Sequence, residues 1–249
     1  MGRSKKTILK YMLSIIIPAL NEENYLPALL ESVKKQNFQE DYEIIVADAG
    51  SKDKTVEIAR KYGCKIVPGG LPAQGRNEGA KIAAGETLLF LDADVRLPQD
   101  FFKKSLKEFK KRKLDGASFR LSPQTKNIFL RLSFNFFYNW PITIFQKILA
   151  YGAMGILVKK EIFEKVGGFD ENVKLAEDHF FARQVAKLGK FRIVHSTKIY
   201  ISLRRFEKDG WLKTNSKFFL CNLYMLSGKP VTSDVFKYRF NHYSKNKET

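Results

Sequence analysis

Asp92 and Asp94 flank a single alanine directly after the apolar run formed by residues 87–91. The two carboxylates therefore emerge side by side at the carboxyl end of a buried strand, with no adjacent base to pair them. Such a position can hold a divalent cation. Mg²⁺ and Mn²⁺ take carboxylate oxygens together with water and substrate phosphate oxygens, and open α/β sheets gather their ligands at the carboxyl ends of strands. An Asp-x-Asp triplet in an ordinary turn or helix cap has no such role, so it is the strand end that distinguishes this one.

Three further clusters stand in comparable places. Pro18-Ala19-Leu20-Asn21-Glu22-Glu23 closes the first apolar run and opens a helix, with Asn21 expected as its cap. Asp48-Ala49-Gly50-Ser51-Lys52-Asp53 closes the second run, and Gly75-Arg76-Asn77-Glu78-Gly79-Ala80 precedes the strand that ends at the aspartates. Together they offer acceptors for a base or ribose, a cation for phosphates and a metal site at neighbouring edges of one sheet.

The elements that must position these groups alternate. Strands are expected over 13–17, 42–47, 64–67 and 87–91, and helices over 22–35, 54–62 and 76–84, with a loop at 68–72. Continuous apolar strands of this kind are buried on both faces, as in a parallel sheet, and the order is βαβαβαβ. After a helix starting near Gln99, whose Phe101, Phe102, Leu106 and Phe109 have amphipathic spacing, the pattern changes. Strands are expected over 115–121 and 155–159, a turn at 167–170, a helix over 177–188, a strand pair over 191–203 and a last helix over 211–226. The segment 128–150 is aromatic-rich but interrupted by Arg131, Asn135, Asn139 and Pro141, too often for a membrane-spanning helix. It reads either as a stretch lying on a membrane surface or as a core or dimer-contact helix.

A chain of 249 residues with 44% hydrophobic content can bury one substantial core, so a single domain is expected. Within it a first half over 12–112, a second half over 113–226 and a tail over 227–249 are expected. Cys64 and Cys221 match no metal-ligand spacing and point to a reducing, cytoplasmic setting. The basic residues at 1–10 lack the apolar core and cleavage site of an export signal, so no export is expected. A net charge of +18 calls for an anionic partner, for which nucleotide phosphates, nucleic acid and an acidic membrane surface all qualify. A nucleic-acid-binding module is disfavoured because acids, not bases, occupy the strand ends.

In these motifs the chain resembles the family 2 glycosyltransferases with the GT-A fold. The resemblance is carried by residues 14–23, 43–55, 75–80 and 91–94, and continues through Val166-Gly167-Gly168-Phe169-Asp170 to Ala176-Glu177-Asp178, about three quarters of the chain. It implies an α/β fold with a Rossmann-like, mostly parallel central sheet flanked by helices, with acceptor-side helices towards the C-terminus. It also implies a nucleotide-sugar donor, a Mg²⁺ or Mn²⁺ cofactor, and a glycan or lipid-linked acceptor. Residue by residue, Pro18, Ala19, Glu22 and Asp48 would hold the nucleoside. Arg76 would lie against the diphosphate, Asp92 would reach ribose or metal-bound water, and Asp94 would ligate the metal. Asp178 would be the base of an inverting displacement, beside Glu177, and Arg204 or Arg205 would meet the diphosphate or an anionic acceptor. Many relatives have a second aspartate where this chain has Ala49, and in some that carboxylate reads uracil, so the resemblance does not specify a uridine nucleotide.

The enzyme expected is a metal-dependent inverting glycosyltransferase acting on a hydroxyl, with an envelope glycan as one acceptor class. A variant uses a polyprenyl phosphate acceptor, which needs no strong base. Nucleotidyl transfer is disfavoured because the loop after the first strand is acidic and lacks a glycine-rich triphosphate cradle. Nucleic acid is not an expected partner. Peripheral contact with an anionic membrane, at the inner face of the plasma membrane, is compatible with the charge.

Overall fold

A computed structural model describes residues 13–173 and 175–204. Arg205, the helix expected over 211–226 and the tail over 227–249 lie outside the described residues. Three parallel strands, β1 (Leu13–Ala19), β2 (Tyr42–Asp48) and β3 (Lys65–Pro68), form one end of an eight-stranded sheet. Next to β1 runs β4 (Thr87–Leu91), also parallel, followed by antiparallel β7 (Gly155–Lys159). Then come β6 (Gly116–Pro123), β8 (Phe191–Ile201) and the two-residue β5 (Val95–Arg96), giving the order β3-β2-β1-β4-β7-β6-β8-β5. Only β7 and β5 run against the other six strands, so the sheet is mostly parallel.

The apolar runs of β1 and β4 are continuous because both faces are covered. On one side Ile15 and Ile17 pack with Leu26, Leu29 and Val33 of α1 (Leu26–Lys34) and with Phe101 and Phe102 of α4 (Phe101–Lys111). On the other, Ile16 and Phe90 meet Ala80 of α3 (Pro72–Ile82), Phe163 of α7 (Lys160–Val166) and Phe181 of α8 (Glu177–Leu188). Helix α3 lies so close to β1 that a Cβ on Gly79 would stand 2.4 Å from the Ile16 Cγ2. The chain order reverses between β1 and β4, the place where such sheets open a crevice at their carboxyl ends.

Several expectations change. The first helix begins at Leu26, not at 22, because Asn21 takes a left-handed φ of +53° and is not its cap. The helix expected over 76–84 starts a turn earlier, as α3 with Pro72 in its first turn, so the 75–80 cluster lies in its middle. In place of the strand pair over 191–203 there is one long β8, with a register shift against β6 between Phe119 and Arg120. Glu108 of α4 supports that irregularity, accepting hydrogen bonds from the His195 and Ser196 backbone N–H groups. Helices α2 (Thr55–Lys61) and α8 fall where expected, whereas α7 and β5 were not foreseen. The 128–150 segment forms α5 (Ile128–Phe134), a π-helical turn over Asn135–Asn139 and α6 (Trp140–Phe145). No helix among the described residues is long and apolar enough to cross a membrane.

Candidate functional site

The loops after β1 and β2 are laced together. The Asn21 N–H donates to Ser51 Oγ (2.9 Å), the Glu22 N–H to Thr55 Oγ1 (2.8 Å) and the Glu23 N–H to Asp53 Oδ2 (3.1 Å). In return, Asn21 Oδ1 accepts from the Lys52 N–H (2.9 Å), which is what the side chain does instead of capping a helix. Asp48 folds its own loop: Oδ2 accepts from the Gly50 and Ser51 N–H groups, and Oδ1 from the Ser51 hydroxyl. Pro18 and Ala19 end β1 at the same edge, against α3, where a Cβ on Gly75 would come within 3.1 Å of the Pro18 Cβ.

The two aspartates after β4, expected to be without basic neighbours, each have a guanidinium brought from elsewhere in the chain. Arg76 reaches Asp92 Oδ1 through Nη2 (2.8 Å) and Glu177 Oε1 through Nη1 (2.6 Å), and lies over the Phe169 ring. It is only 4% exposed, so it is a buried strut joining the end of β4 to the start of α8 and does not project into the crevice as a diphosphate ligand would. Arg204 pairs with both Glu22 oxygens (2.8 Å each) and places Nε 2.8 Å from Asp94 Oδ2, while stacking on Tyr25. Burial opposes the charge on both arginines, but the carboxylates around them prevail and raise their pKa.

Asp94 is buried, and its second oxygen, Oδ1, has no hydrogen-bond partner. An orphaned carboxylate oxygen is costly in the interior, and it is a ready ligand for a hard cation. No group of three or more acidic, histidine or cysteine residues suited to a metal occurs among the described residues. That fits a Mg²⁺ or Mn²⁺ ion held by one or two carboxylates and completed by substrate phosphate oxygens, and it does not fit an all-protein cage. Glu22 is pushed up to about 7, by burial first and by Asp94 and Asp92 next, against the opposing pull of Arg204.

On the far side of Arg76, α8 opens at Ala176, in the left-handed region, so that Glu177 and Asp178 occupy its first turn. Burial works against the Asp178 charge, but His179 and Arg76 outweigh it and hold the carboxyl at about 2. Glu177 moves the other way, raised by burial and by Asp178 despite Arg76. Both contacts from His179, its N–H (2.7 Å) and its Nδ1 (3.0 Å), fall on Asp178 Oδ1. The Tyr151 ring stands edge-on to His179, with centroids 5.7 Å apart. Burial, then the charge of Asp178, raises the pKa of Tyr138.

Arg76 with Asp92 and Glu177, and Arg204 with Glu22 and Asp94, therefore form two ion-pair clusters, coupled through the repulsion between Asp92 and Glu22, with Asp178 beside the first. His179 and Tyr138 were missed by sequence reasoning. His179 adjoins the acidic pair and was detectable by that adjacency, whereas nothing local marks Tyr138.

A family model described as glycosyl transferase family 2 matches residues 14–167. Among similar proteins, an uncharacterized glycosyltransferase of Haemophilus influenzae is 30% identical over 192 residues, covering 72% of this chain and 64% of that protein. Poly(ribitol-phosphate) beta-N-acetylglucosaminyltransferase TarS of Staphylococcus aureus is 35% identical over 99 residues, 36% of this chain and 17% of TarS. Two solved structures share the fold. TarS 1-349 in complex with UDP-GlcNAc superposes with a TM-score of 0.62 at 22% identity, covering 77% of this chain and 58% of that one. The mannosyltransferase PcManGT from Pyrobaculum calidifontis, in complex with GDP-Man and Mn²⁺, gives 0.63 at 22% identity, with 78% and 57% covered. The chain spans less than two thirds of the length of each of these relatives. With its strand-end aspartates, its acidic pair at the start of α8, and a family match extending over more than half its length, the chain belongs to glycosyl transferase family 2.

Proposed function

We propose that the chain is a divalent-cation-dependent, inverting glycosyltransferase that moves a sugar from a nucleoside diphosphate donor to a hydroxyl. The observation that most supports this is the buried Arg76 bridge, which fixes the Asp92–Asp94 strand end against the helix start that carries Asp178. Donor chemistry and acceptor chemistry then lie on two sides of one crevice. Pro18, Ala19, Glu22 and Asp48 line the nucleoside side, and the complexes of relatives with UDP-GlcNAc and with GDP-Man make both bases the ones to assay. Asp94, with Asp92, would hold the cation, which supplies Lewis-acid charge to the departing diphosphate.

Arg204, kept beside Asp94 by Glu22, neutralises further phosphate charge. Asp178 takes the acceptor proton on Oδ2, because His179 occupies Oδ1. The acceptor oxygen bonds to the sugar C1 as the bond from C1 to the diphosphate breaks on the opposite face. A carboxylate at about 2 is a weak base, so the proton moves late, once the new bond has acidified the hydroxyl.

The poly(ribitol-phosphate) acceptor of TarS favours a polymeric glycan acceptor, which we place in the cell envelope, with transfer at the inner face of the plasma membrane. A second reading is transfer to a polyprenyl phosphate, whose oxygen is already anionic and needs no base. Replacing Asp178 with Asn separates the two. A hydroxyl acceptor loses roughly two to four orders of magnitude in rate, with donor binding kept. If the rate hardly changes, a phosphate acceptor is indicated and the general-base role is wrong.

A further inference from the structure

The segment joining β6 to β7 has two unlike sides. Inward, Phe134, Asn139 and Ile142 are buried, and Asn139 clamps the segment to β6 by accepting from the Leu121 N–H (2.9 Å) and donating to the Leu121 C=O (2.7 Å). Outward, it displays an apolar face that nothing among the described residues covers. Phe129 is 80% exposed, Phe137 72% and Ile148 81%, and Phe136 stacks on Trp140 in the open. Nine of the twelve large hydrophobic side chains exposed among the described residues lie in this one segment, so the exposure is a concentrated patch and not the scatter ordinary on a soluble surface.

The segment itself carries charge of one sign. No aspartate or glutamate occurs between Asp115 and Glu161, while Lys126, Arg131 and Lys147 are exposed around the aromatics. A second copy docking face to face would set these basic groups against their own equivalents. Aromatic side chains ringed by lysine and arginine suit the headgroup boundary of an anionic bilayer, where the rings enter the acyl edge and the bases meet lipid phosphates.

We propose that this face docks the enzyme on an anionic membrane surface, and so presents a membrane-borne acceptor to the Asp178 side of the crevice. The second clause rests on the reading of Asp178 given above. The geometric link is short. The chain leaving the segment passes so close to the start of α8 that a Cβ on Gly152 would press on the Asp178 C=O, and Tyr138, in the same π-helical turn as exposed Phe136 and Phe137, is half-buried on the inner side.

The test uses the full chain with vesicles of pure phosphatidylcholine or with added phosphatidylglycerol. Flotation is expected only with the anionic lipid, reduced at least tenfold in Phe129→Ser/Phe137→Ser and on the order of a hundredfold in Lys126→Gln/Arg131→Gln/Lys147→Gln. In a Trp211→Phe background, Trp140 emission should shift to the blue on anionic vesicles and be quenched by brominated acyl chains. Three results overturn the proposal: flotation indifferent to the phenylalanine substitutions, Trp140 emission unchanged by vesicles, or a lipid-free dimer abolished by the same substitutions. Thermal stabilisation by nucleotide sugars, measured in parallel on the wild type and the phenylalanine variant, tests the catalytic reading separately. Loss of that signal with flotation intact refutes the donor site and leaves the docking face standing.

Discussion

Arg76→Met should destabilise the protein in a way that depends on pH. The guanidinium is buried and is the partner of both Asp92 and Glu177, so the substitution strands a carboxylate at the start of α8 that is already pushed upward by burial. Breaking a buried pair by removing one member costs about 3–5 kcal/mol. Glu177 can limit its share by keeping a proton. Holding one at pH 7 on a group whose ordinary value is 4.5 costs about 3.4 kcal/mol, falling to about 0.7 kcal/mol at pH 5. The unfolded chain ionises Glu177 at its ordinary value while the folded variant resists, so the variant loses stability as pH rises above 4.5. Because Glu177 is already raised in the wild type, the deficit in urea unfolding at pH 5, 6 and 7 should widen only above the wild-type value, there by up to about 1.4 kcal/mol per pH unit. Adding Glu177→Gln should remove most of that slope. A deficit below about 1 kcal/mol at pH 7, or one that does not vary with pH, refutes the strut.

Glu108 is held down to about 2, because the hydrogen bonds of Ser196, His195 and Arg112 outweigh burial, which acts the other way. Its stabilisation is complete above about 4.5 and is lost as pH falls through about 2, so Glu108→Gln should cost about 2 kcal/mol at pH 7 and much less near pH 2. Equal deficits in chemical melts at both ends exclude this role. Gly79→Ala gains helix propensity of about 1 kcal/mol but drives a methyl into Ile16, an overpacking penalty of about 1–3 kcal/mol. A net loss near 1 kcal/mol is expected, and a more stable variant would mean that α3 can move off β1.

Strands were legible where burial is complete on both faces. β1, β2, β4 and β7 each hold three or four consecutive apolar residues, and no alternative periodicity competes with them. Helix α8 was equally clear, because its buried positions 181, 182 and 185 share one face. Misreadings arose where a side chain is claimed by a distant partner. Asn21 looks like a cap until the loop after β2 supplies Lys52, and the first turn of α3, opened by Pro72, reads as part of the loop before it. Arg76 and Glu177 are 101 residues apart, and no local spacing announces that they meet. The aspartates at 92 and 94 were recognisable from their place after a strand, but the guanidinium beside each was not. Residues 128–150 left membrane and core readings equal, since composition does not say which side of a helix has neighbours; the structure leaves the aromatic face open.

The central claim is that Asp94 helps to bind the donor through a cation. Thermal unfolding of wild type and Asp94→Asn with UDP-GlcNAc or GDP-Man, in Mn²⁺ and in chelator, tests it most directly. At a hundred times its dissociation constant a donor should add about 2.7 kcal/mol to the wild type in Mn²⁺, and nothing in chelator or in the variant. Equal stabilisation with chelator, or in Asp94→Asn, contradicts the account.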